Sequence, residues 1–315
     1  MHRHTYKTRA IAMDTIITIE AVVDREDGED TEERLRGMVN HALHAFYEVE
    51  QACSRFDPDS EVMRLRDRVG EPTAVSPILF EALRFALVVA EMTDGRFDPA
   101  VGRRLETLGF TRHYLTGELR ETPDAPEDAT FRDIVIDEAS RCVTLLRPVV
   151  IDLGAIAKGL AVDLAARALN GCSGCMVDAG GDMYAGGTRV NGSPWRIGIR
   201  NPRSQGEPIA VLHVRDRAVC TSGDYERRSP LFPDQHHIVA SNAGFSSRHP
   251  SVVSATVIAP YAMMADALST AAFVLGPEEG LALLESCEVE GVLVDGDGTM
   301  YTTKHVEDYL RDETT

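Results

Sequence analysis

Strand-like and helix-like apolar patterns follow one another along this chain without a regular strand–helix–strand alternation, and no other feature constrains its fold as much. Period-two alternation at Thr15-Ile16-Ile17-Thr18-Ile19 predicts a strand, and an acidic turn over 24–30 follows it. Asp30 and Glu33 have capping-box spacing, and Leu35, Met38, Val39, Ala42, Phe46 and Val49 then recur at helical intervals, which predicts a long amphipathic helix. A second helix is marked at both ends. Ser76 stands as cap, Pro77 opens the first turn, Leu79, Leu83, Leu87 and Ala90 form the apolar face, and Gly95 is the stop. Downstream, β-rich runs over 134–136, 142–146, 195–199, 209–214, 252–258 and 291–295 interleave with helical patterns over 155–169 and 261–275 and a further helix opened by Pro277. The polar stretch over 116–130 reads as a surface excursion and not as a hinge. The expected architecture is α+β, with mostly antiparallel sheets and packed helices, in preference to a doubly wound sheet. One domain over 1–315 is expected, whether undivided or built as two closely packed lobes.

Charge narrows the function. Against 32 Lys and Arg stand 50 Asp and Glu, a net −18 that repels phosphate backbones and anionic lipid, so nucleic acid is not expected as a partner. An anionic substrate would need a local lysine, helix N-termini or a divalent cation to enter such a field. No apolar run approaches the roughly 18 residues a membrane helix requires, so no membrane insertion is expected. The N-terminal residues lack a signal-peptide core, and a cytoplasmic location is the expectation. The six cysteines are scattered in a chain too long to need staples and are expected as thiols.

Four segments can carry chemistry. In the first, an apolar run reaches Asp152 and a small-residue turn at Gly154 and Ala155, and Lys158 follows at the start of a helix. Such a turn exposes backbone groups to a ligand or cation; it is also how an ordinary strand enters a helix, with the lysine in solvent. In the second, Asp178 and Asp182 bracket Gly180-Gly181. The glycine pair lets a flat ring or phosphate lie against the backbone, or simply closes a hairpin. It does not open a helix as the dinucleotide fingerprint does.

In the third, Asp266 and Thr270 lie four apart, on one face of a helix whose surroundings are small or apolar. An ionised carboxylate there needs a cation or a set of donors. Asp, a Thr hydroxyl and a backbone carbonyl form a hard-oxygen set suited to Mg2+, while a helix-end Asp bonded to nearby backbone is the alternative. The fourth runs from an apolar strand into Thr221-Ser222-Gly223, with His236-His237 close behind. The hydroxyls can serve phosphate, and a histidine can serve as general base or be an ordinary surface or core residue. Cys172 and Cys175 have no further Cys or His at zinc spacing and read as incidental thiols.

Taken in order, these segments resemble the ApbE-type flavin transferases, from Met13 to about Met300. The matching pieces are Met13-Asp14-Thr15, Ser54-Arg55-Phe56 with Ser60-Glu61, Phe97-Asp98-Pro99-Ala100-Val101-Gly102, Leu108-Gly109-Phe110, the 152–163 stretch, Ala179-Gly180-Gly181-Asp182, Thr221-Ser222-Gly223-Asp224-Tyr225, His237-Ile238 and Ala265-Asp266-Ala267-Leu268-Ser269-Thr270. The resemblance implies a Mg2+-dependent enzyme that takes FAD as substrate, transfers FMN to a Ser or Thr hydroxyl of a target flavoprotein and releases AMP. It implies Asp266, Thr270 and the Ala155 carbonyl as metal ligands. Met13, Phe56, Arg96, Phe97, Asp98, Asp152, Lys158, Gly180, Gly181, Thr221, Ser222 and Gly223 are implied as FAD contacts. His237 resembles the family's histidine implicated in catalysis, and Asp182 is the carboxylate that could share that task.

Three departures accompany the resemblance. Asp14 stands where the family commonly has Gly, and Phe56 where it commonly has Tyr. The segment Val239-Ala240-Ser241-Asn242-Ala243-Gly244 replaces the usual Ile-Asp-Pro and later Thr-Gly after the histidine. Many relatives are exported lipoproteins, and no such leader is expected here. An altered loop leaves two other functions open: an FAD pyrophosphatase giving FMN and AMP, and a non-catalytic flavin-binding protein.

Overall fold

The computed structural model describes residues 3–24, 31–113, 116–122, 124–204, 206–239 and 252–310. Strands β1 (Arg3–Ala12) and β2 (Thr15–Asp24) form a hairpin and lead to helix α1 (Thr31–Cys53). Helix α2 (Glu61–Arg66), strand β3 (Thr73–Ala74) and helices α3 (Pro77–Met92) and α4 (Gly102–Thr107) follow, then β4 (Ile134–Asp137) and β5 (Cys142–Leu145). Helix α5 (Ala157–Ala168) precedes five strands: β6 (Gly174–Ala179), β7 (Asp182–Gly187), β8 (Trp195–Ile199), β9 (Ala210–Val214) and β10 (Arg217–Gly223). The chain continues with β11 (Val252–Ala259), α6 (Ala262–Leu275), α7 (Pro277–Ser286), β12 (Glu290–Asp295), β13 (Met300–Thr302) and α8 (Glu307–Leu310).

The organising element is an eight-stranded sheet in the order β1-β2-β6-β7-β10-β11-β12-β13. Every neighbouring pair is antiparallel, so the α+β expectation holds. Alternate residues separate its two faces. Ile17, Ile19, Ala21, Ala218, Cys220 and Leu293 join one core with Phe46, Val49, Leu160 and Leu268 of α1, α5 and α6. Val22, Val219, Ile258, Val292 and Val294 join a second core with Trp195, Ile197, Ile199, Leu212 and Val214 of the β8–β9 ribbon. Strand β11 is buried at every position because both layers cover it, which explains its continuous apolar sequence.

Helix ends follow local chemistry. The Ser76 side chain accepts the Leu79 N–H with Pro77 in the first turn, as its sequence predicts. Helix α6 has no cap of its own. Asp163 of α5 supplies one: its two carboxylate oxygens accept the N–H groups of Ala262 and Met263 at 2.7 and 2.9 Å. Helices α5 and α6 also approach closely, since a Cβ on Gly159 would stand 2.4 Å from the Ala262 carbonyl oxygen.

Several elements went unforeseen. Strand β1 carries mostly exposed and half-buried side chains, so it shows little apolar alternation. Helices α2 and α4 span six residues each, too few for a period to register. Of the acidic turn expected over 24–30, Asp24 ends β2, and the rest, including Asp30 of the capping box, lies outside the described residues. Among the described residues, no helix is long and apolar enough to cross a membrane.

Candidate functional site

A cavity of about 600 Å3 opens where the turns β1–β2 and β6–β7 and the end of β10 meet the end of α1, the turn before α5 and one side of α6. Met13, Phe56, Arg96, Phe97, Asp98, Asp152, Ala155 and Lys158 line it, as do Gly180, Asp182, Thr221, Ser222, Gly223, His237, Asp266 and Thr270. Gly181 does not. Gly180 and Gly181 form the two-residue turn of the β6–β7 hairpin, with φ of 67° and 100°, so the hairpin alternative is what the backbone shows. Gly180 nevertheless faces the cavity and packs so near Thr15 that a Cβ would fall 2.1 Å from its Oγ1.

The floor is a set of charges taken out of water. The Lys158 ammonium pairs with Asp182 and lies 3.8 Å from Asp266 Oδ1. Asp266 is 3% exposed, and its Oδ2 accepts the Gly159 N–H at 3.0 Å. Burial raises the Asp266 carboxyl, against the Lys158 charge and the Gly159 hydrogen bond, which pull it down. Beside it, Ser222 Oγ bonds both Ser269 Oγ at 2.8 Å and Thr270 Oγ1 at 2.9 Å. The side chains of Asp266 and Thr270 therefore share one wall with a lysine, as their helical spacing predicts. Ala155 sits in the 154–156 turn facing them.

Asp152 belongs to a second charged unit. Arg55 Nε donates to its Oδ2 at 2.5 Å, the Gly154 N–H donates to Oδ1 at 2.8 Å, and the other arm of Arg55 reaches the Phe110 carbonyl at 2.8 Å. Burial opposes ionisation, but the Arg55 charge and the Gly154 hydrogen bond outweigh it and hold the carboxyl below its usual range. The Arg55 guanidinium also lies 4.0 Å over the Phe56 ring, fixing that ring at the cavity wall. Arg96 pairs with Glu279 at 2.6 Å, and Asp98 Oδ1 accepts the Ala100 N–H at 2.8 Å, which shapes the turn before α4.

His237 is half-buried, and its Nδ1 lies 3.3 Å from the Arg227 carbonyl oxygen. A carbonyl only accepts, so this bond places the proton on Nδ1 and leaves the Nε2 lone pair available. Burial and the Arg227 charge push the imidazole down to about 4, keeping it neutral at pH 7. The altered loop that follows, from Ala240 to Gly244, lies outside the described residues. Cys53 at the cavity wall is pushed up to about 12 by burial and the Glu61 charge, so it offers no thiolate.

Asp163, Gly159, Ser269 and Arg227 were not assigned from the sequence. Asp163 carried a usable signal, since it interrupts an apolar helix as Asp266 does. Arg227 carried none, because only the fold brings it to the cavity.

An antiparallel sheet whose strand ends bring Asp182, Thr221 and Ser222 to one cleft, against Lys158 of α5 and Asp266 and Thr270 of α6, defines an α+β protein with a polar site between sheet and helices. The description of the ApbE family matches residues 13–293, and the chain belongs to that family. The FAD:protein FMN transferase of Treponema pallidum is 34% identical over 294 residues, 83% of this chain and 78% of that protein. The protein of the same name from Haemophilus influenzae is 30% identical over 277 residues, 82% of this chain and 78% of that one. Among solved structures, the ApbE protein of Thermotoga maritima has a TM-score of 0.82 at 29% identity, covering 98% of this chain and 100% of that one. The flavin transferase ApbE of Vibrio cholerae has a TM-score of 0.81 at 26% identity, with the same coverage.

Proposed function

We infer that this chain, acting as one unit over 1–315, transfers FMN from FAD to a Ser or Thr hydroxyl of a target flavoprotein and releases AMP, with Mg2+ required. The observation that carries the reading is the convergence of Asp266, Thr270 and Lys158 on one wall of the cavity in a member of the ApbE family.

The donor set suits a hard cation. Asp266 Oδ2 is committed to Gly159, which leaves Oδ1 for the cavity; Thr270 offers a hydroxyl oxygen and Ala155 a carbonyl. Among the described residues, no three His, Cys, Asp or Glu side chains gather as a metal-binding group. A cation here would rest on one carboxylate and neutral oxygens, with phosphate completing its shell, which is the habit of Mg2+. Bound by Asp266, Thr270 and Ala155, Mg2+ would neutralise charge on the diphosphate and on the departing AMP.

The remaining chemistry falls to the chain's own groups. Lys158 adds a second positive charge beneath the diphosphate, while Asp182 and Asp266 hold its ammonium in place. The acceptor hydroxyl is a poor nucleophile near neutral pH and needs its proton removed. His237 Nε2 takes that proton, since Asp182 is already engaged by Lys158. The acceptor oxygen bonds to the FMN phosphorus, and the bridging P–O bond breaks with its electron pair leaving on AMP. Phe56, held flat by Arg55, gives the isoalloxazine a surface for stacking.

The test is incubation of the purified protein with FAD, Mg2+ and a flavoprotein bearing an Asp-x-x-Thr-Gly-type segment. A fluorescent covalent flavin band on a denaturing gel is expected. Its absence, while an established transferase labels the same acceptor, would overturn the reading.

A further inference from the structure

The β1–β2 hairpin closes through two residues, Met13 and Asp14, whose φ angles are 51° and 60°. The left-handed region suits glycine, and neither residue is one. Asp is among the residues that tolerate this region, and the turn carries its side chain to the cavity. Its Oδ2 lies 3.1 Å from a terminal nitrogen of Arg227, on the opposite side of the cavity, where the chain leaves β10. Both residues line the cavity, and the two side chains are 45% and 44% exposed.

Of the other cations lining the cavity, Arg112 donates to the Gly117 carbonyl at 2.9 Å, and the rest face carboxylates. Arg55 is buried on Asp152, Lys158 is held by Asp182, and Arg96 is paired with Glu279. The neighbouring carboxylate of Glu226 faces Arg200 at 3.5 Å. Arg227 differs because the cation itself is 44% exposed, against 5%, 25% and 24% for Arg55, Lys158 and Arg96, and a pair exposed on both sides contributes little and exchanges readily. A guanidinium presents a fork that matches phosphate oxygens, and a diphosphate carries more charge than one carboxylate.

We propose that Arg227 grips the diphosphate of bound FAD and that Asp14 competes for the same guanidinium, so the pair is a latch across the cavity mouth that the dinucleotide opens. The proposal rests on FAD being the ligand of this cavity. Asp14 thereby lowers affinity for any flavin with a diphosphate and is indifferent to one without it.

Flavin-fluorescence titrations of the full chain with FAD, and with riboflavin as the phosphate-free probe, test this. Asp14→Asn keeps a residue tolerant of the left-handed turn, removes the charge and tightens FAD binding about threefold; Asp14→Gly does the same. Arg227→Met weakens FAD binding about tenfold and cancels the effect of Asp14→Asn when the two are combined. Riboflavin affinity changes in none of them. Unchanged FAD affinity in both Asp14 variants, or an equal shift for riboflavin, overturns the latch while leaving FAD as the ligand. Failure of the unaltered protein to bind FAD overturns the latch and the functional reading together.

Discussion

Asp266 Oδ2 accepts the backbone N–H of Gly159 at 3.0 Å, so the carboxylate on α6 is aimed by the first turn of α5. Gly159 can make this bond because it has no Cβ to strike the Ala262 carbonyl. Asp163, one helical turn further along α5, caps α6 itself. Two contacts from one helix thus fix the position and rotation of the residues facing the cavity.

Asp266→Asn is expected to reduce Mg2+-dependent AMP release at least about 100-fold, the scale on which even supporting groups at metal sites act. The fold should survive, because burial already disfavours the charged form of Asp266 and an amide fills the same volume. A Mg2+ titration of AMP release, paired with thermal unfolding, checks both halves. Undiminished activity at low Mg2+ contradicts the assignment.

The pH profile reports on His237. With its imidazole pushed down to about 4, the acid limb of the turnover profile falls near that pH and not near the ordinary 6.5. Stability follows the same linkage: the unfolded chain takes up the proton first, so this group's contribution is full above 6.5 and is lost as pH falls toward about 4. His237→Gln removes the base and lowers turnover by about 10²–10⁴-fold. A turnover profile that breaks at 6.5 in the unaltered protein contradicts the buried, neutral imidazole.

Arg55 and Asp152 should behave as one unit. Arg55→Met leaves the buried Asp152 carboxyl without its partner and costs about 3–5 kcal/mol, whereas Arg55→Met with Asp152→Asn costs far less, because both charges are then gone. Urea unfolding of the two variants and the unaltered chain measures the difference. Equal losses in single and double variants would show that the pair carries no mutual dependence.

The two hairpin glycines separate strain from contact. Gly181→Ala meets nothing within 4 Å and incurs only the left-handed backbone cost of about 1–2 kcal/mol. Gly180→Ala adds a collision with Thr15 and is the more destabilising of the two by urea unfolding. The reverse order would contradict the packing of this turn.

Much of this was legible in the sequence, and the exceptions have physical causes. Helix α3 was legible because Ser76 and Pro77 act locally and do so in the fold. That Asp266 and Thr270 share one face of α6 was legible because helical spacing alone relates them. Which glycine of the Gly180-Gly181 pair faces the cavity was not legible, since such a pair serves a hairpin and a ligand equally well and only the fold brings Gly180 to the lining. The pairing of Asp14 with Arg227 and the capping of α6 by Asp163 were not legible, because each joins residues 213 and 99 positions apart through topology.

The most direct measurement counts AMP and acceptor-bound flavin in the same reaction, with Mg2+ and with a chelator in its place. One AMP for every flavin fixed to a Ser or Thr of the acceptor, and neither in chelator, is the predicted result. AMP formed at the same rate without acceptor, or flavin attached without AMP, would contradict it.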